Sequence, residues 1–186
     1  YNQKYILSVI SCVKYHNILN LLKSYKDFLD QTNNKIKFVL VITILDKKYF
    51  KILKDFVKDN FDKEQVIFLP NLENKYLSNI YKNSSLYIFT SYSETFGLTS
   101  LEAMHFGIPL LISNTSSIYE INGDIPEYFD PDNTSEIKDK LLKIFKFKND
   151  SHQSNFDINK NNEYLKKYLW KNTFNNTYEI LKKMVT

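Results

Sequence analysis

One run limits the fold more than any other: Lys37 to Thr43, reading KFVLVIT, leaves almost no side chain for water. A strand of that kind is buried on both faces, as in a parallel sheet covered by helices. Shorter runs of the same character recur at Tyr5 to Ser11, Val66 to Leu69, Leu86 to Thr90 and Pro109 to Ser113. Stretches with helical spacing lie between them. Ile18, Leu21, Leu22, Tyr25, Phe28 and Leu29 follow one helix, which Asn17 is placed to cap. Phe50, Leu53, Phe56 and Val57 face inward on a helix over Lys48 to Phe61, and Lys75 to Lys82 is a short third helix. Asn133, with Glu136 three residues on, reads as a capping box for a helix to Lys146. Strands alternating with helices require right-handed crossovers. The expected fold is therefore α/β, a Rossmann-like doubly wound parallel sheet. At 186 residues and 43% apolar, the chain is read as a single domain over residues 1–186 with a real core. Lys148 to Asn162 is polar and Asn-rich and reads as a loop or linker, and Glu163 to Met184 reads as a last helix.

The chemistry gathers in Ser91 to Ser113, SYSETFGLTSLEAMHFGIPLLIS. Leu98 to Phe106 has helical spacing between two strand runs. A parallel sheet presents a ligand to a helix N-terminus in this arrangement. The chain has only 3 glycines, Gly97, Gly107 and Gly123, all in or just after this stretch. Gly107 followed by Pro109 fits a helix stop. Gly97 stands at the helix start, where a missing side chain lets a ligand approach backbone amides. Glu94 and Glu102 flank the triplet Phe96-Gly97-Leu98.

These residues resemble the signature of the retaining glycosyltransferases of the large group-1 family, which have the two-domain GT-B fold. The family pattern EGFGLxxxEAMAxGxP is matched by Glu94 through Met104 and by Gly107-Ile108-Pro109. Thr115 to Glu120, Tyr128 to Pro131 and Tyr168-Leu169-Trp170 are similar to further family stretches. The resemblance implies the C-terminal, donor-binding half of such an enzyme, without the N-terminal acceptor-binding half. The lack of an initial Met agrees with a fragment of a longer protein.

Read alone, Thr99-Ser100-Leu101-Glu102 is a capping box and Glu94 a solvated loop acid. The resemblance implies instead that Glu102 accepts hydrogen bonds from the ribose hydroxyls of a nucleotide-sugar donor. A carboxylate suits a diol because it only accepts. It also implies that Glu94 is the catalytic carboxylate, orienting the transferred sugar and stabilising developing positive charge. Phe96, Gly97, Leu98 and Thr99 would offer backbone N–H groups to the diphosphate, with core packing as the plain alternative for Phe96 and Leu98. The family grips that diphosphate with an Arg and a Lys in the first loop. Here the loop reads Ser11-Cys12-Val13-Lys14-Tyr15-His16-Asn17. Ser11 falls on the Arg and His16 on the Lys, and Lys14 serves if the loop shifts. A structural role for His16 is the competing reading.

Asp130-Pro131-Asp132 spells a metal-binding DxD but fits a turn before a helix. His16, His105 and His152 have no metal-ligand spacing. No metal and no cofactor are therefore expected, only a UDP- or GDP-linked sugar as donor substrate. The 25 basic residues are all lysine and spread along the chain, net +4, so no nucleic-acid footprint is read. Cys12 is the only cysteine, which excludes an intrachain disulfide and fits a reducing cytosol. No apolar run spans a bilayer, and the start lacks a signal peptide's pattern. The expected location is cytoplasmic, or at the inner face of the membrane. The last helix has an apolar side of Leu165, Tyr168, Leu169, Phe174, Tyr178 and Leu181 between lysines. Packing against this domain and the missing half is expected of it, with peripheral membrane association as the second reading. The acceptor implied by the family is a glycan or a lipid-linked saccharide. The rival function is a degenerate, non-catalytic module that scaffolds a transferase complex.

Overall fold

A computed structural model describes residues 5–32, 34–115, 117–146 and 158–185. The five strand runs form β1 (Tyr5–Cys12), β2 (Lys37–Ile44), β3 (Val66–Pro70), β4 (Ser84–Phe89) and β5 (Leu110–Ser113), and a sixth strand, β6 (Glu127–Phe129), follows. All five pairings are parallel, in the order β3-β2-β1-β4-β5-β6. This is the doubly wound order, and it reverses direction between β1 and β4. The expected fold class is the one found. Residues Phe38 to Ile42 of β2 are all buried, as KFVLVIT required.

Helices connect the strands: α1 (Ile18–Thr32), α2 (Lys47–Asn60), α3 (Asn74–Lys82), α4 (Leu98–His105), α5 (Ile118–Asn122) and α6 (Thr134–Lys146). Right-handed crossovers on the two sides of the switch put α1 and α2 on one face and α4 and α5 on the other. Leu21, Leu22, Tyr25 and Phe28 bury the inner side of α1, and Phe28 meets Phe145 of α6 with ring centroids 5.5 Å apart. Asp46 caps α2 by accepting from the Tyr49 N–H at 2.9 Å.

Several expectations need correction. Asn17 is not a conventional side-chain N-cap. It sits at φ 56, and its amide donates to the Pro131 carbonyl at 2.7 Å across the fold. The capping box at Asn133 is only half formed. Asn133 Oδ1 accepts from the Glu136 N–H, but Glu136 accepts from the Asp130 N–H instead of returning to Asn133. The stretch read as a linker holds the first five residues of α7 (Ile158–Leu165), while its earlier part, 148–157, lies outside the described residues. The single last helix is broken. After α7 comes a 3-10 turn, Lys166–Tyr168, then an extended Leu169, then α8 (Trp170–Val185).

The break follows from what holds α7. A Cβ on Gly107 would meet Ile158 Cδ1 at 3.0 Å, and one on Gly123 would meet Tyr164 Oη at 2.8 Å. Both glycines therefore make room for α7 as well as adopting positive φ, which the reading of Gly107 as a helix stop did not include. Tyr164 and Tyr168 both donate to the Ile121 carbonyl, at 3.0 and 2.6 Å, and fix the turn to the body. The extended Leu169 then turns α8 away. Leu169, Trp170, Phe174, Tyr178 and Leu181 are all more than half exposed, so the apolar side expected to pack on this domain does not do so beyond Tyr168.

Candidate functional site

The site is built at the carboxyl ends of β1 and β4, where the strand order reverses. From β1 the chain enters a 3-10 turn, Lys14–His16, pinned from the neighbouring strand end. Thr90 Oγ1 donates to the His16 carbonyl at 2.8 Å, and the Tyr92 N–H donates to the Tyr15 carbonyl at 2.8 Å. The His16 ring is only 6% exposed. Its Nδ1 lies 2.6 Å from the Ser11 carbonyl and its Nε2 lies 2.9 Å from Glu94 Oε1. Both ring nitrogens thus face oxygen atoms, which fixes the ring between β1 and the Glu94 loop.

The loop carrying Glu94 is held by small hydroxyls. The Ser91 carbonyl accepts from Ser113 Oγ at 2.6 Å and from Thr115 Oγ1 at 2.7 Å. Ser117 Oγ donates to the Glu94 carbonyl at 2.6 Å. Phe96 turns away from the helix start and meets Tyr168 edge-on at 5.5 Å. Gly97 ends the loop as the residue before α4, at φ 73. A Cβ there would touch only Ser100 Oγ, at 3.6 Å, so backbone conformation rather than crowding calls for glycine.

On α4 the capping-box reading fails, because the helix begins before Thr99. Thr99 Oγ1 accepts from the Tyr87 hydroxyl at 2.7 Å, and Glu102 Oε2 accepts from the Tyr81 hydroxyl at 2.8 Å. Tyr81, in the last turn of α3, and Tyr87, on β4, are buried. Burial pushes both phenols well above the ordinary range, so they stay protonated and donate.

A cavity of about 290 Å³ opens among these elements. Ser11, Tyr15, His16, Thr43, Glu94, Gly97, Leu98 and Thr99 line it, with Val9, Ile10, Val41 and Phe89 forming its apolar wall. Five of the residues singled out in the sequence therefore meet: Glu94, Gly97, Leu98, Thr99 and His16. Phe96, Glu102 and Lys14 lie outside the lining. Glu102 is exposed one turn along α4, and Lys14 is exposed on the 3-10 turn. Among the described residues that line the cavity, His16 is the one basic side chain and no lysine is present. A larger, shallower cleft of about 510 Å³ lies beyond β5 and β6, with Asp130, Asp132 and Glu136 in its lining. Three carboxylates there repel an anionic ligand. Asp130-Pro131-Asp132 is a turn in which Asp130 Oδ1 accepts from the Asp132 N–H at 2.9 Å. Among the described residues no three His, Cys, Asp or Glu side chains gather as a metal site requires. No described helix is long and apolar enough to cross a membrane.

Sequence reasoning missed Tyr81 and Tyr87. Nothing in the spacing of α3 marks Tyr81, which looks like any inward aromatic. It missed Tyr15 and Ser117 as well. The one available signal was the cluster of hydroxyl residues around the motif loop, Ser91, Ser113, Thr115 and Ser117.

Comparison with known proteins adds the lineage. The family model for "Glycosyl transferases group 1" matches residues 1–163. A serotype-specific mannosyltransferase, WbdA of Escherichia coli, is 28% identical over 140 residues, 75% of this chain and 17% of that protein. O-antigen chain mannosyltransferase B of Escherichia coli is 26% identical over 141 residues, 76% of this chain and 36% of that protein. The chain thus spans well under half the length of these curated relatives. Among solved structures, the C-terminal domain of a group 1 family glycosyl transferase (LpcC) from Francisella tularensis superposes with a TM-score of 0.68 at 21% identity, covering 77% of this chain and 76% of that one. A UDP-forming α,α-trehalose-phosphate synthase from Burkholderia vietnamiensis superposes with a TM-score of 0.83 at 13% identity, covering 100% of this chain and 46% of that one. At those identities the two structures speak for the fold.

Proposed function

Because this chain belongs to the glycosyl transferases of group 1, we propose that its cavity is the donor site of a retaining, metal-independent transferase, taking a sugar linked to a nucleoside diphosphate. One observation carries the reading. The start of α4, Glu94 and His16 line a single cavity at the strand switch, with Glu102 one turn further along the same helix. In this reading the N–H groups at the start of α4 receive the diphosphate, helped by the helix dipole. Glu102 accepts from the ribose, and Glu94 contacts the hydroxyls of the transferred sugar, where its charge favours an oxocarbenium-like state. His16 stands where a lysine stands elsewhere in the family. Lys14, exposed on the same turn, joins it when the loop adjusts. In this reading no metal is called for, and the start of α4, His16 and Lys14 together receive the diphosphate.

The sugar to try first is mannose, since the curated relatives are named as mannosyltransferases. The acceptor, a glycan or lipid-linked saccharide, belongs to a half of the enzyme outside this chain. Transfer therefore needs that half, while nucleotide binding does not. Peripheral association with the inner face of a membrane is part of the same proposal, because a lipid-linked acceptor is presented there.

Calorimetric titration with UDP and GDP tests the site on the wild-type chain and on Glu102→Ala. One nucleotide is expected to bind, and the variant to lose roughly 10- to 150-fold, the worth of about one or two hydrogen bonds to a charged acceptor. A folded wild-type chain that binds neither nucleotide overturns the donor-site reading in favour of a non-catalytic module.

A further inference from the structure

We propose that Tyr81 is a positioning residue for Glu102, holding one oxygen of the carboxylate so that the other meets the ligand's diol. The proposal rests on the donor-site reading and deepens it.

Glu102 is exposed on α4, and a glutamate there samples many rotamers, which binding would have to order. Tyr81 removes that freedom beforehand. Its hydroxyl donates to Glu102 Oε2 at 2.8 Å and lies 3.3 Å from the Thr99 carbonyl. The hydroxyl is itself fixed, because the ring is 1% exposed and sandwiched. Phe106 stacks on it at 5.4 Å and 14°, and Tyr87 lies 6.1 Å away. Ser84 Oγ donates to the Tyr81 carbonyl at 2.9 Å and ties down the end of α3. Burial keeps the phenol protonated, so it is a donor at any working pH, and a carboxylate can only accept from it.

The competing account treats Tyr81 as a core aromatic whose hydroxyl takes the nearest acceptor. Packing alone, however, is served by phenylalanine. The Thr99 carbonyl already gives the hydroxyl a partner inside the fold. The shorter bond leaves the core and reaches an exposed side chain, which packing does not explain. Tyr87 repeats the device next door by holding Thr99 Oγ1 at 2.7 Å. Two buried phenols thus fix two successive polar side chains on the same face of α4.

Tyr81→Phe keeps the ring and removes only the hydroxyl, and a thermal melt checks that it folds. The chain is titrated with the nucleoside diphosphate that wild type binds and with its 2′,3′-dideoxy analogue. The same titrations are run on Tyr81→Phe, Glu102→Gln and the double variant. The ribonucleotide is expected to bind Tyr81→Phe about 5- to 10-fold more weakly, the worth of one hydrogen bond. The dideoxy analogue should bind wild type and Tyr81→Phe alike, and the double variant should be no weaker than Glu102→Gln alone. Equal weakening of both nucleotides makes Tyr81 merely structural and overturns the proposal, as does an unchanged ribonucleotide affinity. Wild type that binds no nucleoside diphosphate overturns the donor site itself, and the role of Tyr81 falls with it.

Discussion

Glu94 and Glu102 lie on one short stretch of chain, yet opposite kinds of neighbour hold them. Glu94 sits on a loop, faces the His16 ring at 2.9 Å, and depends on contacts made late in the chain: Ser117 on its carbonyl, and Tyr168 on Phe96 two residues on. Glu102 sits on a helix and takes a neutral phenol from the centre of the core. The first carboxylate faces a buried imidazole before any ligand arrives. The second meets a hydroxyl that limits its freedom. In the proposed donor site, the group assigned to the sugar thus stands on a loop, and the group assigned to the diol stands on a helix braced by the core.

Glu94→Gln gives the sharpest test of that difference. It keeps the shape and removes the charge. In the enzyme with its acceptor-binding half, transfer should fall about 100- to 1,000-fold, the usual cost of losing one electrostatic stabiliser. Affinity for the free nucleoside diphosphate, which lacks the sugar, should not change. Parallel losses in rate and nucleotide affinity would erase the distinction between the two carboxylates.

His16→Gln comes next. It leaves the half-buried Glu94 without its basic partner, at a cost of about 1–3 kcal/mol in a denaturant melt. If the two side chains act as a pair, His16→Gln should cost much less in a Glu94→Gln background. Fully additive losses would mean that the 2.9 Å contact contributes nothing. Glu102→Gln, by contrast, should show no such coupling to His16.

Gly123→Ala acts farthest from the cavity and tests the remote support. The backbone at φ 57, ψ −143 suits glycine almost alone, and the added Cβ would press on the Tyr164 hydroxyl. A loss of about 1–3 kcal/mol is expected. Because Tyr164 and Tyr168 share the Ile121 carbonyl, the disturbance should reach Phe96 and the Glu94 loop. Transfer should slow while nucleotide affinity holds. Lower nucleotide affinity would show that Glu102 also leans on α7.

Much of this arrangement was legible in the residues. Five strands stood out because buried parallel strands are nearly all apolar, and KFVLVIT leaves no other place for itself. The motif helix and Gly97 located the cavity. Other parts were hidden for physical reasons. β6 has three residues, too few for any periodicity, and α5 has five. α7 begins inside an Asn-rich stretch, although Ile158, Asn161, Tyr164 and Leu165 repeat at helical intervals. Asn161 is itself buried against the Met104 carbonyl, so polarity was a poor guide to exposure there. The two buried phenols under α4 were illegible because their partners come from other elements. Only the tertiary fold brings Tyr81 to Glu102.

β1 has one more consequence, for the order of assembly. Its residue Tyr5 pairs with Lys37 on one side and with Ser84 on the other. The first contact closes a short loop and the second a much longer one, and the entropy of closing a loop grows with its length. The half-sheet β1-β2-β3 can therefore form early, while the seam to β4 must wait for a distant segment. The cavity straddles that seam. During refolding, much of the sheet should be in place before the chain has any site to offer a nucleotide, and a nucleotide that binds the site stabilises the last junction to close.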